Sequence, residues 1–135
     1  MRLLLDTHAL IWAAQAPDKL PLVARQAIEN DRNDVYVSAV SALEIATKYR
    51  LGKLDVSPTL AEHFVEQVQS QGFLILAINA HHGRRAGLLR IPHRDPFDRL
   101  LIAQTLVEGI ALVSNEAKFD DWHVPRLWSK PLYKE

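Results

Sequence analysis

The chain has 135 residues, the size of one ordinary domain, and is 48% apolar and 24% charged, which fits a globular protein with a real core. Sixteen basic and sixteen acidic residues cancel to a formal charge of zero, so a nucleic-acid partner must be argued from local patches. There is no cysteine, which excludes disulfides, thiol catalysis and most structural zinc sites and suits a reducing cytosol.

Met1-Arg2 followed by Leu3 to Leu5 and later Ala9 to Ala14 has the outline of a signal peptide. Asp6 and His8 interrupt it, and a strand, turn and helix account for it better. No stretch approaches the roughly 18 uninterrupted apolar residues of a membrane span, so a soluble, cytoplasmic protein is expected. Leu3-Leu4-Leu5 reads as a short buried strand stopping at Asp6. Ala9, Leu10, Trp12 and Ala13 then keep helical spacing up to Pro17, and Leu20 to Asn30 reads as a second helix. Val35-Tyr36-Val37 is a strand that stops at Ser38, the cap of a helix over Ala39 to Leu51 closed by Gly52. Pro58 fits the first turn of a helix that continues from Leu60 to Gln71 and ends at Gly72. Phe73 to Leu76 is a strand and Asn79 to Leu89 a helix. Asp95 caps the next helix, with Pro96 in its first turn, running to Glu108 and Gly109. Ala111-Leu112-Val113 is a strand ending at Ser114, Glu116 to Asp121 is a short helix, and the proline-spaced tail has no assignment. Without repeats or linkers, residues 1–135 read as one α/β domain with a mainly parallel sheet flanked by helices. Such sheets bind ligands just outside the carboxyl ends of their strands.

Four acids fall where that cleft is expected. Asp6 follows the first strand and Glu116 follows the strand at Ala111 to Val113, while Glu44 and Asp98 sit on helices able to face the same place. Two carboxylates about 4 Å apart repel by roughly 4 kcal/mol at an effective dielectric near 20. A hard divalent cation removes that penalty, and oxygen ligands without cysteine or a clear histidine pair favour magnesium or manganese over zinc. Each acid alone has an ordinary explanation. Asp6 fits a helix cap, Glu44 fits half of a capping box with Ser41, Asp95 is a cap, and Asp98 and Glu116 suit the helix dipole. The arrangement of all four carries the signal.

At these residues the sequence resembles the PIN-domain ribonucleases, in particular the toxin component of VapBC toxin–antitoxin modules. Leu3-Leu4-Leu5-Asp6-Thr7-His8 through Trp12 matches that family's first motif and Val37-Ser38 through Ser41-Ala42-Leu43-Glu44-Ile45 its second. His93-Arg94-Asp95-Pro96-Phe97-Asp98-Arg99 through Ala103-Gln104 is the most specific match, and Leu112-Val113-Ser114-Asn115-Glu116-Ala117-Lys118-Phe119 matches the fourth. The resemblance implies a Rossmann-like three-layer α/β/α sandwich that uses Mg2+, with Mn2+ as a substitute, to cleave RNA. Asp6, Glu44 and Asp98 carry over as core acids. The fourth position is usually Asp and is Glu116 here, one methylene longer. Thr7 and Ser114 match hydroxyl positions that orient water or a carboxylate, and both also suit caps. Arg99 fits either a phosphate contact or an outward-facing salt bridge. A cognate VapB-type antitoxin, inserting a peptide near the acids, is implied, as are a homodimer and a toxin–antitoxin hetero-oligomer. Leu10 and Trp12 are interface candidates that the sequence does not separate from core.

Residues 79–94 hold Arg84, Arg85, Arg90, Arg94, His81, His82 and His93 with no acid. This is either a track guiding phosphate toward Asp98 or an ordinary basic helix face. His93 fits a general acid or a structural histidine. Trp12, Trp122 and Trp128 suit base stacking less well than burial. The expected reaction is in-line attack of an activated water on an RNA phosphodiester, leaving a 5′-phosphate and a 3′-hydroxyl. A phosphorelay receiver is excluded because one acid, not an adjacent pair, follows the first strand, and Phe73 to Leu76 leads to no Asp. The remaining alternative is a catalytically silent PIN-like module that binds RNA or a protein.

Overall fold

The computed structural model describes residues 1–53 and 55–132. Five strands form one sheet: β1 (Arg2–Leu5), β2 (Asp34–Ser38), β3 (Leu74–Leu76), β4 (Ala111–Val113) and β5 (Arg126–Leu127). Their spatial order is β3-β2-β1-β4-β5 and every pairing is parallel. Seven α-helices connect them: α1 (Thr7–Gln15), α2 (Leu22–Glu29), α3 (Ala39–Arg50), α4 (Pro58–Glu62), α5 (Phe64–Ser70), α6 (Ala80–Leu88) and α7 (Pro96–Glu108).

A strand's side chains alternate between faces, and the apolar runs are buried on both. Leu3, Leu5, Val35, Val37, Ala111 and Val113 pack with Leu10, Ala24, Ile45, Leu60 and Phe64 on one side. Leu4 and Leu112 pack with Val40, Leu101, Ile102 and Phe119 on the other. The result is three layers, with α6 against α7 on the second face. The chain steps outward from β1 through β2 to β3, then returns to the opposite side of β1 with β4. The loops after β1 and β4 therefore part at a topological switch point, where parallel sheets open a cleft.

Most expected elements are present, with informative departures. The helix expected from Leu60 to Gln71 breaks at His63, whose extended-side torsions (φ −126°, ψ 47°) separate α4 from α5. Leu20 and Pro21 precede α2, with Pro21 in the extended conformation at its N-cap. The short helix expected at Glu116 to Asp121 is a 3₁₀ helix over Ala117–Trp122. The unassigned tail supplies β5, which continues the parallel ladder as Leu112 and Ser114 donate to the Pro125 and Leu127 carbonyls. Gly109 ends α7 in the left-handed region at φ 65°, a conformation that glycine adopts at little steric cost.

Of the two interface candidates, Leu10 is a buried core residue and Trp12 is half-buried, packing on Trp128 with ring centroids 5.8 Å apart. Arg99 also turns inward instead of meeting phosphate or an outward acid. Its Nε donates to the Ala86 carbonyl at 3.0 Å, Nη1 to His93 at 2.8 Å and Nη2 to Leu89 at 2.8 Å. The planar fork thus ties the end of α6 and the following loop to α7, and fixes where His93 lies. An ammonium cannot make this set of bonds. Arg99→Lys is expected to lower stability in urea unfolding by about 2–3 kcal/mol, and an unchanged midpoint would refute that role.

Candidate active site

Asp6 leaves β1 and caps α1, its Oδ1 accepting from the Ala9 amide at 2.8 Å. It is buried, with no lysine or arginine paired to it among the described residues. Burial pushes its carboxyl up to about 6 and the Glu116 charge adds to this, while Ser114, the Ala9 amide and His8 act in the opposite direction.

Glu44 sits on α3, the helix that Ser38 caps at the end of β2. Thr7 Oγ1 donates to its Oε1 at 2.5 Å and also lies 3.1 Å from Ser41 Oγ. Lys48, one turn along α3, donates to Oε2 at 2.6 Å. Asp98 lies in the first turn of α7, where Asp95 accepts from the Phe97 and Asp98 amides and so serves as the expected cap. His93 Nε2 lies 2.7 Å from Asp98 Oδ2, and its ring stands 5.0 Å from that of Trp122. Glu116 follows β4, its amide donating to Ser114 Oγ at 3.0 Å.

These four acids line one cleft at the switch point, so the structure brings together the whole predicted set. Thr7 orients a carboxylate, and Ser114 caps the turn carrying Glu116 while facing Asp6. Two lysines escaped the sequence reading. Lys118 Nζ bridges Asp98 Oδ2 at 2.8 Å and Glu116 Oε2 at 2.5 Å, and Lys48 holds Glu44. Burial lowers the Lys118 pKa, but the hydrogen bonds and charges of Asp98 and Glu116 outweigh it and hold the ammonium above the ordinary lysine value. Lys118 lies within the fourth motif and Lys48 one turn after Glu44, but neither placement says anything of Asp98.

The donor set fits a hard divalent cation: oxygen ligands dominate, and ammonium groups already sit against three of the acids. Among the described residues, the group that places one ligand atom each within 4.8 Å of the others is His93, Asp95 and Asp98, which shares only Asp98 with the four acids. Asp6 is the buried carboxylate that a bound cation would relieve.

Arg84, Arg85, Arg90 and Arg94 are all exposed, and none forms an ion pair among the described residues. His82 does not belong with them. It is buried, its Nδ1 accepts from the Asn79 amide at 3.1 Å, and its Nε2 faces Glu108 Oε2 at 2.8 Å. Trp122 packs on Phe119 and His93, and Trp128 on Trp12, and all three tryptophans are half-buried.

The PIN domain profile matches residues 3–123, and the chain belongs to the PIN-domain family. Ribonuclease VapC22 of Mycobacterium tuberculosis is 27% identical over 129 residues, spanning 91% of this chain and 93% of that protein. Among solved structures, VapBC-1 from nontypeable Haemophilus influenzae superposes with a TM-score of 0.65 at 16% identity, over 96% of this chain and 98% of that one. VapBC2 from Rickettsia felis, bound to a DNA fragment from their promoter, gives 0.61 at 19% identity over 90% and 92%. A toxin–antitoxin complex from Klebsiella pneumoniae gives 0.60 at 20% identity over 98% of each chain. At these identities the structural likeness is one of fold.

The raised Asp6 pKa has a stability consequence. Well below pH 4 the carboxyl is protonated both folded and unfolded. As pH rises toward 6 the unfolded chain releases this proton first, so the folded state loses ground, and the penalty is constant above that. In EDTA, Asp6→Asn keeps the cap without the charge. It should exceed the wild type at pH 7.5 by up to roughly 3 kcal/mol and match it near pH 3.5. Equal stabilities at both pH values would contradict the assignment.

Proposed function

We propose that the protein is a magnesium-dependent endoribonuclease, the toxin of a VapBC-type toxin–antitoxin pair. The observation that carries the reading is the convergence of Asp6, Glu44, Asp98 and Glu116, from four separate elements, in one cleft at the switch point of the sheet. Asp6 and Asp98 would hold the ion, with Glu44 and Glu116 completing its surroundings. When bound, it supplies positive charge for the phosphoryl oxygens and lowers the pKa of water.

The chain's own residues do the positioning. Thr7, itself bonded to Ser41, fixes the Glu44 carboxylate, and His93 fixes the Asp98 carboxylate. Arg84, Arg85, Arg90 and Arg94 present exposed guanidinium groups, unpaired among the described residues, along the segment up to Arg94, a path for the RNA backbone. Cleavage is expected to leave a 5′-phosphate and a 3′-hydroxyl. The relatives of known structure are toxin–antitoxin complexes, which supports a VapB-type antitoxin as partner. A cytoplasmic setting, a homodimer and a toxin–antitoxin hetero-oligomer belong to the same reading. No helix among the described residues is long and apolar enough to cross a membrane.

Cleavage of labelled RNA with Mg2+ and with EDTA tests this directly. Asp6→Asn and Asp98→Asn should each lower the Mg2+-dependent rate by about 100-fold or more. Unchanged cleavage in both variants, or cleavage that survives EDTA, would overturn the mechanism.

A further inference from the structure

We propose that Lys118 is a substrate-positioning lysine that rests on Asp98 and Glu116 in the metal-free cleft, gives up those oxygens to a divalent ion, and then contacts the RNA phosphate. The inference rests on the nuclease reading above and assigns that site a residue the four acids do not include.

The ammonium takes Asp98 Oδ2 at 2.8 Å and Glu116 Oε2 at 2.5 Å, bridging acids from two different elements. Lys48, by contrast, holds a single acid on its own helix, an ordinary (i, i+4) pair. Asp98 Oδ2 is also served by His93 at 2.7 Å, so Asp98 keeps a partner when Lys118 leaves. A monovalent and a divalent cation repel when both sit on the same carboxylates. Lys118 can leave: its side chain is 38% exposed, on a short 3₁₀ helix and a flexible four-carbon arm. Asp120, on the same 3₁₀ helix, is already held by Arg126 at 2.8 Å. The freed charge then stands at the cleft mouth beside His93, where the arginine-rich segment would deliver a phosphodiester. That anion supplies the partner that the carboxylates no longer provide.

Lys118→Gln, Lys118→Arg and Lys19→Gln test the proposal, the last removing an exposed lysine beyond the far end of α1. Without RNA, Mn2+ titration should show Lys118→Gln binding the ion about tenfold tighter than the wild type, and Lys19→Gln unchanged. With Mn2+ saturating, single-stranded RNA affinity measured by fluorescence anisotropy should fall about tenfold in Lys118→Gln and recover in Lys118→Arg. A larger Mn2+-induced rise in melting temperature for Lys118→Gln shows that the variant is folded and relieved by the ion. Unchanged or weaker Mn2+ binding in Lys118→Gln would overturn the resting position, and tighter Mn2+ binding with unchanged RNA affinity would overturn the phosphate contact. Wild-type protein that binds RNA but never cleaves it would defeat the nuclease reading, while the two binding measurements still decide the role of Lys118.

Discussion

Mutual repulsion among carboxylates is the constraint on which the site depends. Two carboxylates about 4 Å apart repel by on the order of 4 kcal/mol at an effective dielectric near 20, and a fold lines one cleft with four acids only if something offsets their charge. Here the offsets are visible one by one. Lys48 holds Glu44, Lys118 spans Asp98 and Glu116, and His93 faces Asp98. Among the described residues Asp6 has no such cation, and burial raises its pKa instead. The charge missing at Asp6 is the charge that a divalent ion brings.

The sheet explains why these residues meet at all. In a parallel sheet every strand delivers its carboxyl end to the same edge, so the residues after β1, β2 and β4 become neighbours despite separations of about 30 to 110 positions in sequence. Asp6 and Glu116 arrive directly on those loops, and Glu44 arrives on the first two turns of α3. Asp98 comes from α7, held against the sheet through Leu101 and Ile102. Arg99, next to it, anchors the loop that carries His93. Packing and site geometry are therefore set by adjacent residues of one helix.

Much of this was legible in the sequence because it is local. Strand runs such as Leu3 to Leu5, the cap at Asp95 and the terminating Gly109 are decided within a few residues. The four acids could be read because motif spacing survives where each sits at a strand end or in a helical first turn. The unread part is tertiary. Nothing near Lys118 announces Asp98, twenty residues earlier. Arg99 looked available for phosphate because carbonyls of residues 86–93 are not a sequence feature. His82 counted as positive charge until Asn79 and Glu108 were seen to take both ring nitrogens. β5 is two residues long, too short for any alternation to show.

Family membership makes a nuclease the natural reading, and the cleft's charge balance is its physical content. The most direct test is a crystal soaked in Mn2+ and measured at the manganese absorption edge. The account predicts an anomalous peak within coordination distance of Asp6 and Asp98, with the Lys118 ammonium moved off Asp98. A structure with no peak among the four acids, and Lys118 still bridging Asp98 and Glu116 at saturating Mn2+, would contradict it.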